Sequence, residues 1–162
     1  MGTLKMKTVQ GYAILAALAI PNAKVEPEVA HHILVVDRSG SMYYDIAKLK
    51  QSIEQAIAVE SYGNPEVLTT LISFSSQGDL TLHWSRISVE EVMKLDNPYI
   101  GEIRDIQATF LTGMSQALEL AIQMVKGDET TGITMFTDGY ANDPSPSHEN
   151  KALANFVEEG RK

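Results

Sequence analysis

The sequence predicts an α/β domain: a doubly wound, mostly parallel sheet with one antiparallel edge strand and helices on both faces. Three observations predict it. Segments with the period of strands alternate with segments of helical period along the chain. Two short apolar runs, at His32–Val36 and Ile133–Thr137, each close on an aspartate, as strands buried within a parallel sheet do when they open into a ligand-facing loop. The 162 residues, 44% hydrophobic and 21% charged, suit one globular domain with a sizeable core.

The elements follow in order. Lys5 and Lys7 precede an apolar stretch, Tyr12–Ile20, which invites a secretory-signal reading. Thr8, Gln10 and Gly11 interrupt it, and nine apolar residues fall well short of the roughly 20 that span a bilayer. Tyr12, Ile14, Ala16, Leu18 and Ile20 share one face at period two, so the stretch is read as a strand and the chain is placed by default in the cytoplasm. Residues 1–30 thus form an N-terminal strand and lead-in, and residues 31–162 the domain proper.

After the run ending at Asp37, a helix is expected from about Tyr43 to Val59, with Ile46, Leu49, Ile53, Ala56 and Ile57 at spacings of three and four, stopped by Gly63, Asn64 and Pro65. Glu66–Ser75 and Leu80–Trp84 read as a hairpin that supplies the antiparallel edge. Ser88 and Glu91 form a capping box for a short helix through Leu95, which Asn97 and Pro98 end. A second clear helix is expected over Gly113–Val125, with Ala117, Leu118, Ala121 and Met124 on one side and Gly127 just past its end. The last, about His148–Glu159, buries Leu153, Phe156 and Val157 and stops at Gly160.

Composition narrows the function. Thirteen Lys and Arg against 21 Asp and Glu give a formal charge of -8, whose field repels nucleic-acid phosphates and anionic lipid heads, so neither nucleic acid nor membrane is expected as partner. Without cysteine there are no disulfides, thiolate zinc sites or cysteine nucleophiles, and any metal must sit on oxygen or imidazole. The four histidines, His31, His32, His83 and His148, have no ligand spacing and read as structural or solvated. Lys48, Lys50, Glu54 and Glu60 read as the wet face of a helix.

The chemistry concentrates in Asp37-Arg38-Ser39-Gly40-Ser41, a carboxylate and two hydroxyls within five residues where a buried strand opens into a loop. Alternate residues of an extended loop can converge, and Gly40 allows the tight turn. A small hard cation such as Mg²⁺ takes about six oxygens, so a second acid and another hydroxyl from neighbouring loops would complete a shell. Asp138 and Thr112 are the suppliers. Thr109 is less suited, because Thr112 has the better spacing to Ala117 and Leu118. The plain alternative is that Asp37 or Ser41 merely caps the following helix.

The buried strand with DRSGS (Asp37–Ser41), TGMSQAL (Thr112–Leu118) and FTDG (Phe136–Gly139) resembles the three parts of the metal-ion-dependent adhesion site of von Willebrand factor type A domains, in order and spacing. The resemblance runs from about residue 30 to the end, and AIPNAKVEPE is similar to the lead-in of many bacterial members. It implies a Rossmann-like fold and a divalent cation, Mg²⁺ or else Ca²⁺ or Mn²⁺. It further implies that Ser39 and Ser41 ligate the ion directly, that Thr112 does so directly or through water, and that Asp37 and Asp138 mostly hold coordinated waters. A cation left with neutral protein ligands stays electrophilic and seeks an outside anion, an Asp or Glu carboxylate of a partner protein. The chain's own field favours a single carboxylate on a neutral or basic surface.

The chain departs from the family pattern in two places. Phe110 and Leu111 stand where small residues, often glycine, precede the threonine. The family also continues after the last helix with further strand and helix units, whereas this sequence stops at Lys162, so an open sheet edge is expected beside Ile133–Thr137, to be completed by missing residues or another chain. Tyr43, Tyr44 and Tyr140 follow the metal loops and are either a partner-facing rim or ordinary packing.

The expected function is therefore a non-enzymatic, metal-gated protein-interaction module. A metal-free structural subunit, for instance an adaptor to an AAA+ ATPase, is the alternative. A Mg²⁺-dependent phosphotransferase or phosphatase is the third reading, since an aspartate ending the first buried strand also describes aspartyl-phosphate enzymes. One such family needs a second acid two residues on, where Ser39 stands, and the receiver type needs an acid cluster and a later lysine that this chain lacks.

Overall fold

The computed structural model describes residues 3–9, 12–19, 29–125, 129–138, 142, 143, 145, 147–149, 151, 154 and 158. The chain forms β1 (Thr3–Val9), β2 (Tyr12–Ala19), β3 (His31–Asp37), α1 (Ile46–Gly63), β4 (Leu68–Phe74), β5 (Leu80–Ser88), α2 (Val89–Val92), α3 (Tyr99–Asp105), α4 (Ser115–Gln123) and β6 (Thr131–Thr137). A single 3-10 turn, Gly40–Tyr44, precedes α1. Described residues between 147 and 158 are helical, in keeping with the expected last helix; its apolar residues Leu153, Phe156 and Val157 lie outside the described residues, as do Gly127, Gly139 and Tyr140. Among the described residues no helix is long and apolar enough to cross a membrane.

The strands form one sheet in the order β1-β2-β6-β3-β4-β5. β6, β3 and β4 are parallel, and β5 runs antiparallel on β4, as the sequence predicts. The period-two alternation of β3 divides the core. Leu34 and Val36 pack with Leu49, Ile53 and Ile57 of α1, and with Val92 and Ile103 of α2 and α3. Ile33 and Val35 join Ile72, Phe74, Ile133 and Met135 on the other face, against Met114, Ala117, Leu118 and Ala121 of α4. A strand covered on both faces must be apolar throughout, which explains the His32–Val36 run.

The open edge expected beside β6 is instead filled. β2 pairs antiparallel with β6 from Ala13↔Thr137 to Ala19↔Thr131, and β1 folds back on β2 from Thr3↔Leu18 to Val9↔Tyr12. The N-terminal segment is thus a hairpin rather than a single strand. Its first arm is TLKMKTV, in which Leu4, Lys5, Met6 and Lys7 alternate with the period of a strand.

Two other elements differ from expectation. α3 stands after Pro98, in a stretch to which the sequence assigns no element: proline's fixed φ, here -70°, suits it to open a helix as well as to end one. β5 runs four residues beyond Trp84, because an irregularity in its pairing with β4 and the positive φ of Arg86 (56°) break the period that would have revealed it. The capping box is half made: the Ser88 hydroxyl accepts from the Glu91 amide at 3.2 Å, while the Glu91 side chain turns to Lys94 and Asn97.

Candidate metal site

Because β3, β4 and β6 are parallel, their carboxyl ends open at one edge of the sheet. The strand order reverses between β3 and β6, the place where such sheets bind ligands. Asp37 ends β3 and Asp138 follows β6 directly.

Asp37 is fully buried. One carboxylate oxygen accepts the Ser39 amide at 2.8 Å and the other accepts the Thr137 hydroxyl at 2.7 Å, which ties the first loop to the end of β6. Burial pushes the Asp37 carboxyl above the usual carboxylate range; the bonds from Thr137 and Ser39 oppose this, and the nearby charge of Asp138 adds to it. A cation in front of the two acids would relieve that cost.

Ser39 is buried and Ser41 exposed, and their hydroxyls hydrogen-bond each other at 3.0 Å, a bond that an ion between them would replace. Two oxygens each about 2.1 Å from one ion and at right angles lie about 3.0 Å apart, so the pair has the spacing of one edge of a Mg²⁺ octahedron. The capping alternative is met in part: Asp37 accepts the Ser39 amide just ahead of the 3-10 turn, while the Ser41 hydroxyl bonds the Ser39 hydroxyl. Ser39 occupies the N-cap of the 3-10 turn without a side-chain cap bond, and Asp45 at the N-cap of α1 makes none either.

The second loop, between α3 and α4, runs beside the first as a short extra strand. The Thr109 amide donates to the Arg38 carbonyl at 2.7 Å, the Gly40 amide donates to the Phe110 carbonyl at 2.7 Å, and Ser39 bridges Thr109 in parallel sense. Thr112, buried, lies two residues beyond Phe110. Its amide donates to the Asn142 side chain at 3.0 Å and its carbonyl accepts the amides of Asn142 and Asp143 at 2.9 and 3.0 Å, so the stretch after β6 holds it by the backbone. The Thr109 hydroxyl is already committed, accepting from Arg38 at 2.8 Å and donating to Ser75 at 3.0 Å.

Two glycines make this packing possible. A Cβ at Gly40 would sit 2.8 Å from the Phe110 carbonyl oxygen, and one at Gly113 would sit 2.7 Å from the Gln77 amide nitrogen. Phe110 itself adopts φ 34°, the left-handed region that bulky side chains rarely enter. Such a backbone costs of order 1–3 kcal/mol and persists only where its surroundings impose it.

A polar network fastens the loops from behind. Arg38 bonds Asp79, Asp79 accepts from the Ser75 hydroxyl, and Ser75 accepts from Thr109, which returns to Arg38. The Ser75 hydroxyl, then the Arg38 charge, hold the Asp79 carboxyl below its usual range. Glu149, buried, accepts the Ser115 amide at 2.7 Å and its hydroxyl at 2.9 Å, which fixes the start of α4. Sequence reasoning missed Asp79, Asn142 and Glu149, which join segments 30 or more positions apart without any local motif.

All five predicted residues, Asp37, Ser39, Ser41, Thr112 and Asp138, therefore lie on three loops at one edge of the sheet, and their chemistry fits a hard divalent cation. Among the described residues no group of three or more His, Cys, Asp or Glu could hold a metal, so any ion here relies on hydroxyls. Three of the four histidines are engaged structurally, His31 and His32 with Thr70 and Thr134, each at 2.8 Å, and His83 with Ser73 at 2.8 Å, while His148 is exposed.

Comparison with known proteins gives the same architecture. The sequence profile described as von Willebrand factor type A domain matches residues 32–141. The pilus adhesin SpaC from Lactobacillus rhamnosus GG, in its open conformation, superposes with a TM-score of 0.53 at 16% identity. The match covers 78% of this chain and 16% of the adhesin, so the chain spans only a small part of that protein's length. No curated protein matches the sequence.

Proposed function

Since the chain belongs to the von Willebrand factor type A family, whose domains are protein-interaction and adhesion modules, we propose that it is a binding module, not an enzyme, whose docking is gated by a divalent cation. Ser39 and Ser41 hold the ion directly, Thr112 directly or through water, and Asp37 and Asp138 from behind coordinated water. The ion supplies an electrophilic position that accepts an Asp or Glu carboxylate from a partner protein. The observation that carries this reading is the 3.0 Å approach of the Ser39 and Ser41 hydroxyls beside two buried or half-buried acids.

The protein residues do the positioning. Asp37 sets the first loop by taking the Ser39 amide, which leaves both serine hydroxyls on the same side. Thr137 anchors that carboxylate to β6, and Asn142 holds the backbone of Thr112. With the acids kept back and hydroxyls forward, little negative charge reaches the ion directly and its attraction for an outside carboxylate survives.

Thermal unfolding after EDTA treatment and then in excess Mg²⁺ tests the proposal. An ion at 100 times its dissociation constant adds about 2.7 kcal/mol, which for a chain of this size raises Tm by roughly 5–10 °C. The rise should vanish in Ser39→Ala/Ser41→Ala and in Asp138→Ala. An unchanged Tm in Mg²⁺, Mn²⁺ and Ca²⁺ would instead leave a metal-free structural module.

A further inference from the structure

Four large side chains with no formal charge stand in solvent on the two loops that flank the candidate ion. Tyr43 is 67% exposed, Tyr44 88%, Phe110 82% and Leu111 52%. The tyrosines close the 3-10 turn that Ser41 helps to start, their rings edge to face at 5.3 Å. Phe110 and Leu111 immediately precede Thr112, and the Phe110 carbonyl is bonded to Gly40, so both pairs belong to one rim.

This rim costs the free protein twice. Exposed aromatic and aliphatic area gains nothing in water, and Phe110 holds its side chain outward from a backbone at φ 34° that glycine would adopt without strain. Among the described residues the bonds that hold this position come from the Phe110 backbone, and its exposed side chain is not needed to make them. Large apolar side chains clustered around a polar centre mark a protein-binding surface.

We propose that Phe110, Leu111, Tyr43 and Tyr44 select the partner, and that the partner is a protein surface presenting one Asp or Glu between apolar side chains. Charge decides between apolar and charged neighbours for that acid. The chain carries -8 overall, so a cluster of acids is repelled away from the ion, while the four exposed rim side chains carry no charge and offer contact area to apolar neighbours rather than a partner to basic ones. The inference rests on the cation reading of the site.

The test uses three cyclic peptides with a central Glu flanked on both sides by Leu, Ser or Lys, titrated by fluorescence anisotropy in saturating Mg²⁺, with Mg²⁺ binding to the protein measured separately by calorimetry. The Leu-flanked peptide should bind about tenfold or more tighter than the Ser-flanked one, as partial burial of two leucines implies. Phe110→Gly should keep Mg²⁺ binding, unfold at the same or a higher temperature, and lose that preference; Tyr43→Ser/Tyr44→Ser should weaken it. Equal affinity for Leu- and Ser-flanked peptides with Mg²⁺ bound would overturn the rim assignment and leave the metal site standing. Absence of Mg²⁺ binding would remove the metal reading and this inference with it. A lowered Tm in Phe110→Gly would make the side chain structural, and concentration-dependent dimerisation abolished by that substitution would make a second copy the occupant; either overturns the proposal.

Discussion

At the scale of single residues, the site is built by steric permission as much as by ligands. Gly40 and Gly113 let two loop backbones meet, and a methyl group at Gly40 would overlap a carbonyl oxygen of the facing loop that cannot move independently. Gly40→Ala should therefore cost about 1–3 kcal/mol in denaturant unfolding and abolish the Mg²⁺-induced rise in Tm, because separating the loops parts the hydroxyls. Asp79 acts at a distance. Its carboxyl is held below the ordinary value by Ser75 and Arg38, so it adds stability that is present above about pH 4 and is lost as the pH falls through its lowered folded-state value. Its side chain is 39% exposed, which limits the effect to below about 1 kcal/mol. The stability difference between the protein and Asp79→Asn, measured by urea unfolding across pH, should be constant near neutrality and shrink in acid.

Residues that carry a local motif were legible. Asp37, Ser39 and Ser41 sit within five positions, and Asp138 ends a recognisable apolar run, so short-range spacing alone exposes them. Asn142, Asp79 and Glu149 were not legible, since each becomes meaningful only when tertiary structure brings a distant partner to it, Thr112, Arg38 and Ser115 respectively. Thr112 lies between these cases: its spacing to α4 singled it out, and the structure adds that Thr109, the competing hydroxyl, is bonded elsewhere.

At the scale of elements, period was a dependable guide where one face or both are buried throughout, as in α1, β3 and α4. It failed where backbone irregularity interrupts it, at the Arg86 irregularity of β5, or where an element is too short to show a period, as in α3. The hairpin β1–β2 was half legible, because its lysines resemble the charged start of a targeting segment as well as an edge strand. In the fold the hairpin covers a sheet edge, since β2 supplies backbone partners to β6 along seven register positions, Ala13 to Ala19. Deleting residues 1–20 should uncover those groups. Sedimentation velocity is expected to show association of the shortened chain at concentrations where the whole chain stays monomeric, while a monomeric shortened chain of unchanged Tm would mean that the hairpin does not guard this edge.

At the scale of the whole molecule, a parallel sheet collects the ends of β3 and β6 at one edge, and two loops from either side of the switch point are tied together by backbone bonds. Helices cover both faces of the sheet behind this edge, and on the proposed reading neutral hydroxyls and withdrawn acids would hold an ion without satisfying it. The central claim is that one divalent ion is shared by all three loops. It is tested most directly by adding substoichiometric Mn²⁺ to isotope-labelled protein and recording which amide resonances its paramagnetism broadens. The account predicts that Ser39, Ser41, Thr112 and Asp138 broaden together and recover when Mg²⁺ is added in excess. Broadening confined to other surface acids, such as Asp105 and Glu102, with these four left sharp, would contradict it.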